Sequence, residues 1–275
     1  MPLIVLINWA AGQGMQSTRR RIVAVAASIL MVTTVCFSVA AQAAEVRVAV
    51  AANFTAPMAQ IAAAFEQSTG HRLLISYGST GRLFAQISNG APFDVLLAAD
   101  ATAPAKLEES GLAVKGSRMT YAVGRLVLWS PLPDVVNSNA DVLRRGDYSR
   151  LAIAAPLLAP YGAAAVQTLE RLGLLTASQP KWVTGESIGQ AYSLVATGNA
   201  QLGFVAASQV FSGGKLISGS AWLVPADLHS PIRQDAVLLS RGQSNPAARA
   251  LLAYLKAEAA KAVMASFGYK APGLR

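Results

Sequence analysis

The sequence predicts an α/β protein of two lobes, and three observations carry that expectation. From residue 46 onward, β-type runs alternate with amphipathic stretches. Around GRLVLWSP (124–131) the character changes, and a second set of the same kind follows. No repeat or low-complexity linker parts the two sets, so strands rather than a tether are expected to join them. The chain has 275 residues, 53% of them hydrophobic, which is ample for a core of this size.

The elements follow in order. EVRVAVAANF alternates and then turns, giving a first strand over Val46–Ala51. Thr55 or Asn53 is placed to cap the next helix, with Pro57 in its first turn. Met58, Ile61, Ala62 and Phe65 fall at i, i+3, i+4 and i+7, and Gly70 ends that helix. HRLLISY is a second strand, followed after Gly78-Ser79-Thr80-Gly81 by a helix with Leu83, Phe84 and Ile87 on its apolar side. FDVLLAA is continuous and apolar, which suits a central strand. Strand–helix–strand–helix–strand implies right-handed crossovers and a parallel sheet.

The second set opens with RLAIAAP as a strand and YGAAAVQTLERLGL as a helix after Pro160. KWVTGES reads as a short strand and loop, and IGQAYSLVATGN as a helix with Ile188, Ala191, Tyr192 and Val195 on one face. AQLGFVAASQV and SPIRQDAVLLSRG (230–242) supply further strands. One helix from Pro246 closes the chain, apolar at Leu251, Leu252, Leu255 and Ala259, then Ala262 and Phe267. With crossings near 125–130 and 232–240, the first lobe is expected to comprise 44–126 and 232–275, and the second 127–231.

The amino terminus reads differently. Arg19, Arg20 and Arg21 precede an apolar run, and Ala41-Gln42-Ala43 is a small-x-small cleavage site. This is the layout of a secretory signal peptide over 1–43, the alternative being an uncleaved membrane anchor. Met15 stands just before the basic cluster and is an alternative start. The only cysteine, Cys36, lies inside this segment, so the mature chain has no disulfide, thiolate metal site or thiol nucleophile. Without the three arginines the net charge falls from +9 to +6, with the basic residues scattered and not interleaved with aromatics. Nucleic-acid binding is not expected, while an anionic ligand suits the mild positive field.

Four loops share one property: AANFT (51–55), GSTG (78–81), APYG (159–162) and GESIG (185–189) each lie after a strand and before a helix. In a parallel sheet such loops gather at the carboxyl ends of the strands, where ligands bind. Each helix then presents unpaired N–H groups and the positive end of its dipole. Two loops from each lobe could surround one anion with neutral donors. Taken singly, Asn53 and Thr80 fit plain helix caps equally well, and Tyr161 fits a half-buried loop aromatic.

Other motifs carry less. GESIG matches the G-x-S-x-G elbow of serine hydrolases, with Ser187 as nucleophile. Only Asp227 then precedes the downstream His229, two residues away, which is too close for separate triad loops. Neither His71 nor His229 has a metal-ligand companion at i+3 or i+4, and GSTGR lacks the ending of a phosphate-binding P-loop. Asp94 is expected to fix a loop and Asp100 to cap a helix.

With these residues assembled, the sequence resembles the periplasmic molybdate-binding proteins of ABC importers along essentially the whole mature chain. The resemblance rests on VAVAANFTAPMAQIAAAFEQSTG, YGSTGRLFAQISNGAPFDVLLAAD, PYGAAAVQTLERLG, GESIGQAYSLVATGNAQLGFV and the terminal FGY. It implies a type II periplasmic binding protein fold, each lobe a β-sheet flanked by helices, with a tetrahedral oxyanion held in the cleft between. It further implies a monomeric, non-enzymatic receptor with no cofactor. Its ligand would be molybdate or tungstate, and its partner an ABC permease in the inner membrane. Carried over by motif, the ligand-contacting positions are Asn53, Thr80, Tyr161 and Ile188, the last through its backbone N–H. Ala52 and Ser79 are secondary candidates. Many members have serine where Asn53 and Thr80 stand, and some have tyrosine where this chain has Ala206, so Tyr161 is expected to supply that hydroxyl from the other loop. A receptor for another oxyanion such as sulfate, or a secreted hydrolase using Ser187, are the competing readings.

Overall fold

A computed structural model describes residues 43–273. The signal peptide expected over 1–43 lies outside these residues except for Ala43. No helix among the described residues is long and apolar enough to cross a membrane.

The strands in chain order are β1 (Glu45–Ala51), β2 (Arg72–Gly78), β3 (Val95–Leu97), β4 (Met119–Gly124), β5 (Leu126–Ser130), β6 (Leu151–Ala154), β7 (Trp182–Gly185), β8 (Leu202–Ala206), β9 (Phe211–Ser212), β10 (Lys215–Leu216), β11 (Ser220–Leu223) and β12 (Ile232–Leu238). They form two five-stranded sheets, in the orders β2-β1-β3-β12-β4 and β11-β5-β8-β6-β7, and β9 and β10 make a small hairpin. The chain passes between the sheets twice: directly from β4 to β5 through Arg125, and from β11 back to β12.

The expectation of parallel sheets holds for only part of each. β1 pairs in parallel with β2 and β3, and β6 in parallel with β7 and β8. β12 runs antiparallel between β3 and β4, and β5 antiparallel between β8 and β11. The reason lies in the connections. Helical crossovers join the parallel strands, whereas β12 enters its sheet from the opposite side after the chain's excursion through the second lobe.

Helix Thr55–Thr69 buries Met58, Ile61, Ala62 and Phe65 and ends on Gly70 at φ 72°, a left-handed conformation that glycine adopts freely. Neither expected cap forms there. A short turn over Ala52–Phe54 precedes the helix, Thr55 Oγ1 donates to the Ala52 carbonyl, and the Asn53 side chain turns inward. Asp94 ties its loop by accepting from the Arg47 N–H at 2.8 Å, and Asp100 accepts from the Ala103 N–H at 2.8 Å. The carboxyl-terminal stretch forms two helices, Pro246–Tyr254 and Glu258–Ser266, instead of one. Ala257 between them is extended, at φ −69° and ψ 149°. Both pack with Val46, Val48, Phe54 and Phe65 of the first sheet's core, closed by Phe267 and Tyr269.

Candidate functional site: a buried polar cluster between the sheets

All four loops lie at strand carboxyl ends and lead into helices. Ala52–Phe54 follows β1, Ser79 precedes helix Thr80–Ser88, Ala159 precedes Pro160–Arg171, and Ser187 precedes Ile188–Ala196. Loops of the two sheets meet. The Gly81 N–H donates to the Leu158 carbonyl at 2.9 Å. A Cβ on Gly81 would come within 3.1 Å of Leu158, and one on Gly189 within 3.4 Å of the Ala52 methyl. Arg82 and Glu186 form an exposed ion pair at 2.6 Å across the same junction. Side chains of Ala51, Ala99, Tyr161, Ile188 and Ala206 share one apolar cluster that spans both sheets.

Inside this junction the expected residues are buried. Asn53 is 2% exposed, Thr80 1%, Tyr161 1%, Ile188 3% and Ser79 5%. Thr80 Oγ1 accepts from the Ala99 N–H at 2.9 Å, so its own hydroxyl proton remains to be given. The Tyr161 hydroxyl accepts from Gln234 Nε2 at 3.0 Å. Asn53 spends its Nδ2 protons on Gln234 Oε1 and the Tyr269 hydroxyl, both at 2.9 Å. Two buried side-chain polar atoms among the described residues have no partner: Asn53 Oδ1 and Ser79 Oγ. Orphaned buried oxygens are rare in folded proteins, and both of these belong to the expected set.

The sequence did not single out the rest of the cluster. Gln234 on β12 is fully buried. The Tyr121 hydroxyl lies 3.0 Å from both Gln234 Oε1 and the Ala98 carbonyl. Tyr269 lies 2.9 Å from the Asn53 carbonyl and 3.1 Å from Ser208 Oγ, and Ser208 itself donates to the Asn53 carbonyl at 2.6 Å. The available signal was small: Arg233, Gln234 and Asp235 stand together in a strand whose other residues are apolar. Gly124, at the end of β4, is part of the arrangement, because a Cβ there would overlap the Tyr161 hydroxyl and lie 2.6 Å from Gln234 Nε2.

The electrostatics are those of neutral donors. Burial pushes the hydroxyls of Tyr121 and Tyr161 well above the ordinary tyrosine range, with neighbouring tyrosines adding to the rise. Burial also raises Tyr269, to about 12, against the opposing effect of hydrogen bonds to Ser208 and Asn53. All three therefore keep their protons at neutral pH. Ser187 caps its helix by accepting from the Gln190 N–H at 3.3 Å, a structural use of the oxygen that the hydrolase reading would need as nucleophile. Among the described residues no group of three or more His, Cys, Asp or Glu could hold a metal ion.

The family profile of bacterial extracellular solute-binding proteins matches residues 46–270. The chain belongs to this family. Among relatives of this solute-binding protein, the molybdate-binding protein ModA of Azotobacter vinelandii is 56% identical over 253 residues, 92% of this chain and 98% of the relative. The molybdate-binding protein ModA of Rhodobacter capsulatus is 51% identical over 229 residues, 83% of this chain and 89% of the relative. The solved structure of the Azotobacter vinelandii periplasmic molybdate-binding protein matches with a TM-score of 0.80 at 41% identity, covering 82% of this chain and 99% of that one. The solute-binding protein thus has the two-lobed α/β architecture of that structure, with one five-stranded sheet per lobe. A cavity of about 510 Å³ also opens between the lobes. Thr80, Ala159 and Arg233 are among the residues that line it, but Asn53, Tyr161 and Ile188 are not. The candidate site is therefore the buried cluster, and the cavity lies beside it.

Proposed function

We propose that this solute-binding protein captures molybdate, or tungstate, between its lobes outside the cytoplasm and delivers it as a monomer to an ABC permease in the inner membrane. What supports the ligand class is the junction of the four loops, where Asn53, Thr80, Tyr161 and Ile188 are buried and uncharged and the Ser79 hydroxyl lacks a protein partner. The names of the relatives at 51% and 56% identity support molybdate within that class. In this reading Thr80 and Tyr161 donate their hydroxyl protons to the anion and Ser79 adds its free hydroxyl. Ile188, as the first residue of its helix, offers a backbone N–H that has no partner within the helix. Asn53 gives its backbone and holds the cluster through its amide, and Ala52 contributes backbone alone. The lobes, 44–126 with 232–275 and 127–231, close on the ligand, with Gly81–Leu158 and Arg82–Glu186 as closing contacts.

Selectivity follows from fixed donors. Molybdate and tungstate are larger than sulfate, and a smaller anion leaves buried donors unpaired at a cost of about 1–3 kcal/mol each. Tyr161 tests the site directly. Tyr161→Phe removes one charge-assisted hydrogen bond, so its affinity for molybdate is expected to fall by about 1.5–3 kcal/mol. Tyr161→Ala also removes the ring that excludes water and is expected to fall further. Calorimetric titration of both variants at one ionic strength decides the matter. A phenylalanine variant that binds like the parent would take the hydroxyl out of the site.

Export is the other half of the reading. The arginine cluster, the apolar run and Ala41-Gln42-Ala43 lead to cleavage before Ala44. Intact-mass measurement of the exported protein is expected to give a chain beginning at Ala44. A chain retained in membranes with residues 19–43 attached would contradict it.

A further inference from the structure

Gln234 stands apart in the buried cluster because its one carboxamide bonds to both lobes. It lies on the returning strand β12, where the register with β4 slips between Gln234 and Asp235 and passes Tyr121. Such a slip re-aims side chains. Asp235 takes Arg118 Nη1 at 2.9 Å and Thr120 Oγ1 at 2.7 Å, while Gln234 meets Tyr161, Asn53 and Tyr121.

The chemistry of the amide gives this contact a direction. Nε2 can only donate, so a Tyr161 oxygen that receives its proton must turn its own proton elsewhere. Oε1 can only accept, and the Asn53 Nδ2 group at 2.9 Å holds it on the far side. The same heavy-atom positions admit a reversed chain. With both carboxamides turned, Asn53 Oδ1 would accept from Gln234 Nε2. Tyr121 would donate to the Ala98 carbonyl while receiving from Gln234, and Tyr161 would give its proton to Gln234 Oε1. In that reversed state Tyr161 has no proton left for a ligand.

We propose that Gln234 is a positioning residue: from strand β12 of the first lobe's sheet it holds the Tyr161 O–H of the second lobe in the donating direction, so that Tyr161 serves the oxyanion only while Gln234 donates to it. This rests on the oxyanion reading above. Gln234→Glu keeps the shape but replaces the donor with an acceptor, which takes the Tyr161 proton. Gln234→Met removes both functions at similar volume.

A double-mutant cycle reads the coupling. The parent, Gln234→Met, Gln234→Glu, Tyr161→Phe and the two doubles are titrated calorimetrically with molybdate, or with sulfate if that is the anion the parent binds. Where Tyr161 is intact, each Gln234 variant is expected to weaken binding about tenfold or more, the loss of one charge-assisted hydrogen bond. In the Tyr161→Phe background the same change is expected to cost less than about threefold, because the hydroxyl it positions is already gone. In Gln234→Glu alone, affinity is also expected to fall as the introduced carboxyl ionises with rising pH, a dependence that a packing role does not produce. Equal losses in both backgrounds would overturn the inference, as would loss of folded protein in both Gln234 variants, which would assign the residue to stability. If the parent binds neither oxyanion, the functional reading fails and this inference falls with it.

Discussion

Gly124→Ala is expected to weaken oxyanion binding about a hundredfold and to destabilise the fold by about 1–3 kcal/mol, the usual cost of overpacking a dense interior. The new methyl would overlap the Tyr161 hydroxyl and stand 2.6 Å from Gln234 Nε2 and 2.9 Å from Tyr161 Cζ. Neither neighbour is the loose end of a flexible side chain. Tyr161 is packed in the cluster that spans both sheets, and Gln234 is bonded at both ends of its amide. Relief must come from moving the tyrosine ring or parting β4 from β12, and either displaces the hydroxyl assigned to the ligand. Molybdate titration combined with thermal unfolding separates the two effects. Parental affinity in a well-folded alanine variant would show that the hydroxyl is not needed where it stands.

Molybdate at a thousandfold excess over its Kd is expected to raise stability by about 4 kcal/mol, because a ligand bound between the lobes binds the closed, folded form alone. For a chain of this length the melting temperature should rise by about 10 °C. Sulfate at the same concentration is expected to give a small rise, since an undersized anion leaves donors such as the Ser79 hydroxyl unpaired. Scanning calorimetry with each anion measures this. A rise with sulfate and none with molybdate would remove molybdate as the ligand.

The local parts of this protein were legible in its sequence. Alternation and glycine punctuation located the first strands and the helix ending at Gly70, and the four strand-to-helix loops drew attention to Asn53, Thr80 and Tyr161, while Ile188 came from the family resemblance alone. What the sequence concealed was contact at long range. Asn53 bonds to Gln234, 181 residues away, and to Tyr269, 216 residues away. No window of local periodicity registers such partners, so Asn53 looked like a cap and Gln234 passed as part of a strand. The antiparallel entry of β12 was hidden for the same reason: direction in a sheet depends on where the chain has been. Gly124 had no turn signature because its need is for space beside the distant Tyr161 side chain, not for an unusual φ. The break at Ala257 has no proline or glycine to mark it, and the apolar spacing runs across it undisturbed.

The most direct test of the central claim is a competitive calorimetric titration of the mature protein with molybdate in the presence and absence of excess sulfate. Saturable binding of one molybdate per chain, little disturbed by sulfate and weakened in Tyr161→Phe, is the expected result. Sulfate binding that excludes molybdate, or no heat with either anion, would contradict it.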